Sequence, residues 1–239
     1  MDGAVQDILS ESEFMERLET FRLPRYEEVP EIELYMDQLI TYVGSQVAFL
    51  PSSGEKPLTS SMVNNYVKQR LVPQPKNKRY VRVHVVYLIA VCVLKRSFSI
   101  SDIERLVALE VRHRYQIPEA YDFFCTAFEE SLRVLFLGHT NVEYLGDLKM
   151  AAQSGTFSIL LENAHDADPD RLVAIAAATS AASKVYVDAR LSWLEQAREQ
   201  SDAAVDEARR LQENTAGAGE GKSGKKKAEK RDAAPGASR

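Results

Sequence analysis

The residues of this chain best suited to chemistry are the lysines and arginines of one short stretch. Between Leu58 and His84 there are six of them and no aspartate or glutamate, although the 239-residue chain has a net charge of −5. Ammonium and guanidinium groups bind phosphate oxygens through charge and hydrogen bonds. The stretch therefore indicates an anionic partner, with a merely solvated basic surface as the alternative.

The charge of the chain changes sign where this stretch begins. Residues 1–57 contain twelve acidic and four basic residues, whereas residues 58–96 contain eight basic residues and no acidic one. Segregation of this kind suggests an anionic partner such as nucleic acid, although a run of like charge is usually a solvated face. Charge alone therefore does not decide between a nucleic-acid partner and a solvated basic surface.

A short helix is predicted at residues 59–70, because Thr59 or Ser60 can cap it and prolines follow it. Its apolar residues recur at helical spacing and should face the core: Met62, Val63, Tyr66 and Val67. Its opposite face carries hydroxyl, amide and ammonium groups: Ser60, Ser61, Asn64, Asn65 and Lys68. Such groups contact base edges and phosphates from a helix in a major groove.

A basic loop follows this helix, from Pro73 to about Tyr80, and an apolar helix begins near Arg82. The cations of this region are candidates for phosphate binding: Lys76, Lys78, Arg79 and Arg82. The order of a short polar-faced helix and a basic loop is that of a recognition helix followed by a wing. Tyr66 and Tyr80 are expected to be packed in the core rather than stacked on bases.

The remaining pattern is helical, so the predicted class is mainly α. Further helices are expected at residues 10–22, 31–49, 82–96, 99–115, 119–138, 147–163 and 169–214. The chain then divides into an N-terminal helix (1–21), a central domain (22–137), a helical C-terminal region (138–213) and a basic tail (214–239). The composition of the tail predicts disorder.

The long C-terminal helix has a stripe of apolar and small residues in its first half. Its members recur at three and four positions: Leu172, Ile175, Thr179, Ala182, Tyr186, Ala189 and Trp193. This stripe could be the seam of a homodimer. Alternatively, it could pack on residues 119–163 of its own chain.

The central region resembles the winged helix-turn-helix of MerR-type bacterial regulators, through "VNNYVKQRLVPQPKNKRYVRVHVVYL" followed by "SFSISDIERLV". The matching residues are Val63, Asn64, Tyr66, Leu71, Pro73, Lys78, Tyr80, Leu88, Phe98, Ser99, Ile100 and Ile103. It is also similar, over about residues 22–135, to an uncharacterised bacterial family described only as having a MerR-like domain. The resemblance implies a MerR-like fold, duplex DNA as partner and a dimerising helix after the domain.

Three positions depart from the MerR pattern. Arg70 replaces the usual glycine of the turn, which predicts an altered turn. Asn64 stands at the position of a phosphate-contacting arginine, and Lys78 replaces the arginine of the wing. The basic surface nevertheless remains, through Lys68, Lys76 and the neighbouring arginines.

We therefore expect a cytoplasmic, dimeric DNA-binding regulator, with a protein-interaction module on the same scaffold as the alternative. An enzyme is not expected, since the four histidines are scattered and no helical pair of ligands is present. No cofactor or metal is expected. The cysteines Cys92 and Cys125 lie among apolar neighbours and should be buried thiols, although a sensing role is the alternative. No apolar run reaches the length of a membrane span, so no membrane partner is expected.

Overall fold

The computed structural model of the protein describes residues 10–50, 56–112, 116–137 and 169–223. Its helices are α1 (Glu11–Thr20), a 3-10 turn (Tyr26–Glu28), α2 (Met36–Gln46), α3 (Ser60–Lys68), α4 (Arg82–Leu94), α5 (Ile100–Arg112), α6 (Ile117–Leu137) and α7 (Pro169–Ser223). Extended pairing in these ranges is limited to isolated bridges. The mainly α prediction is therefore confirmed. The predicted helix at 147–163 and the tail beyond Ser223 lie outside the described residues.

The beginning of α1 follows the sequence signal closely. The Ser10 hydroxyl accepts a hydrogen bond from the Glu13 amide, and the Glu13 carboxylate accepts one from the Ser10 amide at 3.0 Å. This capping box satisfies two amides that the first turn of the helix leaves unpaired. Phe14 and Leu18, whose spacing in the sequence predicts an apolar stripe on this helix, are buried.

The second helix begins later than predicted. The sequence places its start at residue 31, but α2 begins at Met36, and Leu34 lies in an isolated bridge with Tyr80. The prediction was wrong for residues 31–35, where Ile32 lies in a bend, Leu34 in a bridge and Tyr35 is extended. Glu31, Ile32, Glu33 and Leu34 alternate between charged and apolar residues, which is the period of a strand rather than of a helix.

The segment between α1 and α2 is fixed to α6 by a buried carboxylate. Glu129 is 3% exposed; its Oε1 accepts hydrogen bonds from the Leu23 amide at 2.7 Å and the Arg25 guanidinium at 2.8 Å. Its Oε2 accepts a second hydrogen bond from the same guanidinium at 2.8 Å. Glu129 also holds the pKa of Arg25 above its ordinary value. A two-pronged pair of this kind fixes orientation as well as charge.

The first half of α7 packs on α6 of its own chain. The hydroxyls of Thr179 and Ser131 lie 2.9 Å apart, and the rings of Tyr186 and Phe136 are 4.9 Å apart. Ile175, Ala182 and Ala189 of the predicted dimer seam are also buried in the monomer. Thr179 and Tyr186 therefore pack on α6, as in the alternative of packing within the chain, and the buried stripe residues are not available for a dimer seam.

The chain divides into two compact units, Met1–Leu191 and Ser192–Arg239. In the second unit α7 continues to Ser223, whereas the sequence places its end near Asn214. The described side chains there are exposed or half-buried, and the apolar Val205 is 64% exposed.

Within the described residues, one helix is apolar and long enough to span a membrane when only length and composition are considered. This segment of α7, Arg171–Leu211, has a mean hydropathy of 1.2 over its best 18-residue window, of which 39% is buried. The expectation of no membrane span rested on uninterrupted apolar runs, whereas this segment is rich in alanine and contains charged residues. A helix in the core of a protein can pass the same test, and Ala178, Ala181 and Val185 are 0% exposed here.

Candidate nucleic-acid interface

Helix α3 separates its apolar and polar residues as its sequence predicts. The Thr59 hydroxyl caps it by accepting a hydrogen bond from the Met62 amide at 3.3 Å. Val63, Tyr66 and Val67 are buried, whereas Met62 is half-buried. All five residues predicted on the outer face are exposed: Ser60, Ser61, Asn64, Asn65 and Lys68. Their donors and acceptors are thus available to a partner.

The end of α3 forms a regular left-handed cap in spite of the arginine there. Arg70 has a φ of 61°, the Leu71 amide donates to the Tyr66 carbonyl at 2.9 Å, and the Arg70 amide donates to the Val67 carbonyl at 3.1 Å. This is the Schellman pattern, in which glycine is usual at the position of Arg70. The sequence predicted an altered turn at Arg70, but the structure shows the left-handed geometry that a glycine would favour.

The basic loop ends in a tight turn made of Lys76, Asn77, Lys78 and Arg79. Asn77 and Lys78 have φ values of 50° and 60°, and the Arg79 amide donates to the Lys76 carbonyl at 2.8 Å. Two consecutive positive φ values define a type I′ turn, which matches the twist of paired extended segments. We call residues Lys76–Arg79 the wing turn. It presents the Lys76 and Lys78 side chains to solvent.

A pair of backbone hydrogen bonds holds the base of the wing turn. The Leu34 amide donates to the Tyr80 carbonyl at 2.7 Å, and the Tyr80 amide donates to the Leu34 carbonyl at 2.9 Å. Both side chains are buried, as predicted for Tyr80. The extended segment before α2 is thereby joined to the residue that follows the wing turn.

The cations of this surface differ in what they contact. Within the described part of the chain, no carboxylate lies within 4.0 Å of Lys68, Lys76 or Lys78, and all three are exposed. The Arg79 guanidinium lies 3.6 Å from the centre of the Tyr35 ring. Stacking on an aromatic face restricts a guanidinium while leaving its edge free to donate hydrogen bonds. Lys76 and Lys78 are therefore adaptable cations, and Arg79 is a restrained one.

Arg82, unlike the three lysines, is engaged by groups of its own chain. It donates to the Val29 carbonyl at 2.8 Å and to the Glu27 carboxylate at 2.5 Å, and its side chain is 15% exposed. It also lies 5.3 Å from the Tyr26 ring centre. The structure thus separates Arg82 from the other predicted phosphate ligands. Through these contacts the Arg82 side chain holds the 3-10 turn against the start of α4.

His84 lies at the start of α4 below the wing turn. Its Nδ1 accepts a hydrogen bond from the Val81 amide at 3.0 Å, and its ring meets the edge of Tyr80 with centroids 5.5 Å apart. Burial lowers the pKa of His84, so the neutral ring is favoured. The sequence did not predict that His84 accepts from Val81, that Leu34 pairs with Tyr80, or that the Tyr35 ring stacks on Arg79. His84 stands three residues after Val81, the residue that caps α4, and this spacing is the feature of the sequence that allows its side chain to accept from the Val81 amide.

The thiols of Cys92 and Cys125 are buried. Burial raises the pKa of Cys92 to about 11, and it raises the pKa of Cys125 as well. Both groups are therefore protonated near neutral pH, as expected for packed thiols rather than reactive ones. In the described ranges, no group of three histidine, cysteine, aspartate or glutamate residues is arranged to hold a metal ion.

Residues 24–124 match the model of a domain of unknown function (DUF1836). The match falls within the region for which the sequence indicated similarity to an uncharacterised conserved family, and it supports that similarity. It covers α2–α5, the wing turn and the beginning of α6. No curated protein and no solved structure matches the chain.

Proposed function

We propose that the protein binds duplex DNA, with the outer face of α3 in the major groove and the wing turn on the neighbouring phosphates. The observation that supports this proposal is the surface formed by α3 and the wing turn. Its polar side chains are exposed, and its three lysines lack a carboxylate partner within the described residues. A cationic surface of this kind attracts the phosphate backbone, and its amides and hydroxyls suit base edges.

The geometry around α3 supports a winged helix-turn-helix of the MerR-like kind. A capped helix leads through a Schellman turn to a tight hairpin, whose base pairs with the segment before α2. One feature departs from a simple helix-turn-helix: α2 and α3 are separated by residues 47–59, whereas the usual turn has about three or four residues. The proposal is therefore supported by the wing turn and α3, and the length of the connection before α3 does not support it.

The division of labour among the side chains follows from their contacts. Asn64 and Asn65 on α3 can each donate and accept hydrogen bonds, so they suit the reading of bases. Lys76 and Lys78 suit phosphates, since an ammonium group on a flexible stem follows the backbone without selecting a sequence. Arg79 joins them, with its plane held by Tyr35.

Homodimerisation completes the proposal, because two recognition helices on a two-fold site bind more tightly and more specifically than one. The apolar stripe of α7 from which the sequence predicted a dimer seam is largely buried against the rest of its own chain. The apolar residues of the first unit that remain exposed on α7 are different: Val173, Val187 and Leu191 at 39%, 48% and 53%. We place the dimer contact at Val187 and Leu191.

Selection from a pool of random duplexes tests the assignment of reading and clamping roles. The full-length chain should enrich a defined sequence, and the N64A/N65A variant should lose that preference by about 10- to 100-fold while keeping its general affinity. The K76A/K78A variant should instead weaken binding to all sequences alike. Failure to enrich any duplex would contradict sequence-specific DNA binding.

The alternative function is a protein-interaction module on the same scaffold. It is favoured by the exposure of two large apolar side chains beside the wing turn, Ile32 at 62% and Tyr35 at 54%. Exposed apolar residues of this size are common at protein interfaces. A chain that binds no duplex at low salt, and whose I32A variant loses a protein partner, would favour this alternative.

A further inference from the structure

The side chains that sit on a left-handed backbone belong to the end of α3 and to the wing turn. Within the described residues, the non-glycine residues with a positive φ are Arg70, Asn77 and Lys78, at 61°, 50° and 60°. Asparagine adopts this region several times more often than most other residues with a side chain. Strained backbone of this kind is concentrated at functional sites. The tight turn accounts for Asn77 and Lys78, which leaves the arginine at position 70 to be explained.

The cap at the end of α3 explains the conformation of Arg70 but not its residue type. The Leu71 amide donates to the Tyr66 carbonyl at 2.9 Å, and the Arg70 amide donates to the Val67 carbonyl at 3.1 Å. These hydrogen bonds use the backbone alone, so glycine would form them without strain. A cation near the carboxyl end of a helix also interacts favourably with the helix dipole, but Lys68 supplies one in the last turn of α3. The cap therefore does not require an arginine.

The neighbours of Arg70 direct its side chain to solvent. Val67, Leu71 and Val72 are buried, at 9%, 1% and 0% exposure, whereas Arg70 between them is exposed. Within the described part of the chain, no carboxylate lies within 4.0 Å of its guanidinium and no aromatic ring stacks on it. Arg82 differs, because it is bound by Glu27 and by the Val29 carbonyl. The guanidinium of Arg70 is thus available to a partner.

The position of Arg70 favours a phosphate as that partner. Arg70 begins the connection between α3 and the wing turn, with Lys68 before it and Lys76 after it in a segment that contains no carboxylate. A duplex that contacts both α3 and the wing turn must pass its backbone across this connection, and the backbone is where its negative charges lie. The planar guanidinium can donate two parallel hydrogen bonds to one phosphate.

We propose that the Arg70 guanidinium binds a backbone phosphate of the duplex at the carboxyl end of α3, between the bases contacted by α3 and the phosphates bound by the wing turn. This inference rests on the proposed DNA binding and adds a contact to it. The left-handed backbone at Arg70 lowers the stability of the free protein, and the side chain held there contributes to binding. Stability and DNA affinity should therefore change in opposite directions when glycine replaces Arg70.

Three variants of the full-length chain separate the side chain from the backbone: R70G, R70A and R70K. Fluorescence anisotropy with a labelled duplex of mixed sequence measures affinity at several salt concentrations. R70G and R70A should each weaken binding about 10-fold and lower the slope of log K against log salt by about one per subunit, because each loses one phosphate contact. R70K retains the charge and should retain the slope. Thermal unfolding should show R70G to be more stable than the unaltered chain although it binds DNA less well.

R17A is the matched control, since Arg17 is an exposed arginine in the last turn of another helix, α1, and its removal should leave binding unchanged. Normal affinity and slope in R70A, with binding weakened in K76A/K78A, would refute the Arg70 contact and leave DNA binding in place. A loss in R70G that R70A does not share would arise from the more flexible turn and would also refute it. If the unaltered chain binds no duplex at low salt, the proposed function and this inference are both wrong.

Discussion

Leu34 and Tyr80, far apart in the sequence, exchange two backbone hydrogen bonds of 2.7 and 2.9 Å. The chain between them contains α2, α3 and the wing turn. Because both side chains are buried, the pair fixes the base of the wing turn to the entrance of α2. The proposed DNA surface depends on this closure, since the pair fixes the residue that follows the wing turn and its lysines.

Shortening the Leu34 side chain should therefore destabilise the fold. Leu34→Ala removes a side chain that is 6% exposed, and we expect a loss of about 2–4 kcal/mol in the free energy of unfolding. Ile32→Ala, two residues earlier and 62% exposed, is the matched control with an expected change within about 0.5 kcal/mol. Urea denaturation measures both, and equal losses would contradict the account of this pair.

Arg70 should gain from replacement by glycine. Its φ of 61° is strained for a residue with a side chain, so Arg70→Gly should stabilise the protein by about 1 kcal/mol. Arg70→Ala removes the same charge but keeps the strain, and it should leave the free energy of unfolding nearly unchanged. Thermal unfolding compares the three proteins. A glycine variant less stable than the alanine variant would show that the left-handed cap is not strained.

Burial of Cys92 predicts a dependence of stability on alkaline pH. Its pKa is raised by burial to about 11 in the folded chain, above its ordinary value of about 9, so the unfolded chain loses this proton first. Below pH 9 the contribution is fully present, and it is lost as the pH rises from about 9 to 11, by at most about 3 kcal/mol.

Cys92→Ala tests this contribution, because the fall in stability between pH 9 and 11 should be shallower than in the unaltered chain. Chemical denaturation at several pH values measures the slope. Near neutral pH, neither thiol of the native protein should react rapidly with a thiol reagent, and both should react after unfolding. An identical slope in the variant, or rapid labelling of the native protein, would contradict a buried, protonated Cys92.

The proposed dimer contact should be sensitive to a charge on the exposed face of α7. Leu191→Glu is expected to weaken association more than 10-fold, since a carboxylate would have to be desolvated in an apolar contact. Light scattering after size separation measures the mass. Truncation before α7 is unsuitable, because it removes Ala178, Ala181 and Val185, which are fully buried in the monomer.

Ile32→Glu provides the control for this experiment, as it introduces the same charge at an exposed apolar position elsewhere. It should leave the mass unchanged. A dimer that persists in the Leu191→Glu variant would place the interface on another surface, and a monomeric unaltered chain would remove the dimer from the proposal.

The sequence predicted those parts of the fold that depend on local signals. The Ser10–Glu13 capping box, the Thr59 cap and the buried face of α3 follow from spacing alone. The pairing of Leu34 with Tyr80 did not, because it joins distant residues and the apolar spacing of residues 31–49 predicted a helix instead. Long-range pairing is not encoded in a local pattern.

The same limit applies to the candidate site. Exposure of Lys76 and Lys78 follows from a polar turn, but the contacts of Arg82 with Glu27 and Val29 depend on which surfaces meet in the folded chain. The stripe on α7 shows a related limit. An apolar helical face predicts burial, and it does not distinguish a second copy of the chain from α6 of the same chain.

The salt dependence of duplex binding tests the central claim most directly. Fluorescence anisotropy of the full-length chain should give a slope of log K against log salt of about −5 to −7 for a dimer that neutralises six to eight phosphates. K76A/K78A should flatten the slope by about two per subunit, and R17A/R105A, which removes two exposed charges elsewhere, should leave it unchanged. No duplex affinity at low salt, or equal slopes for the two variants, would contradict DNA binding through the wing turn.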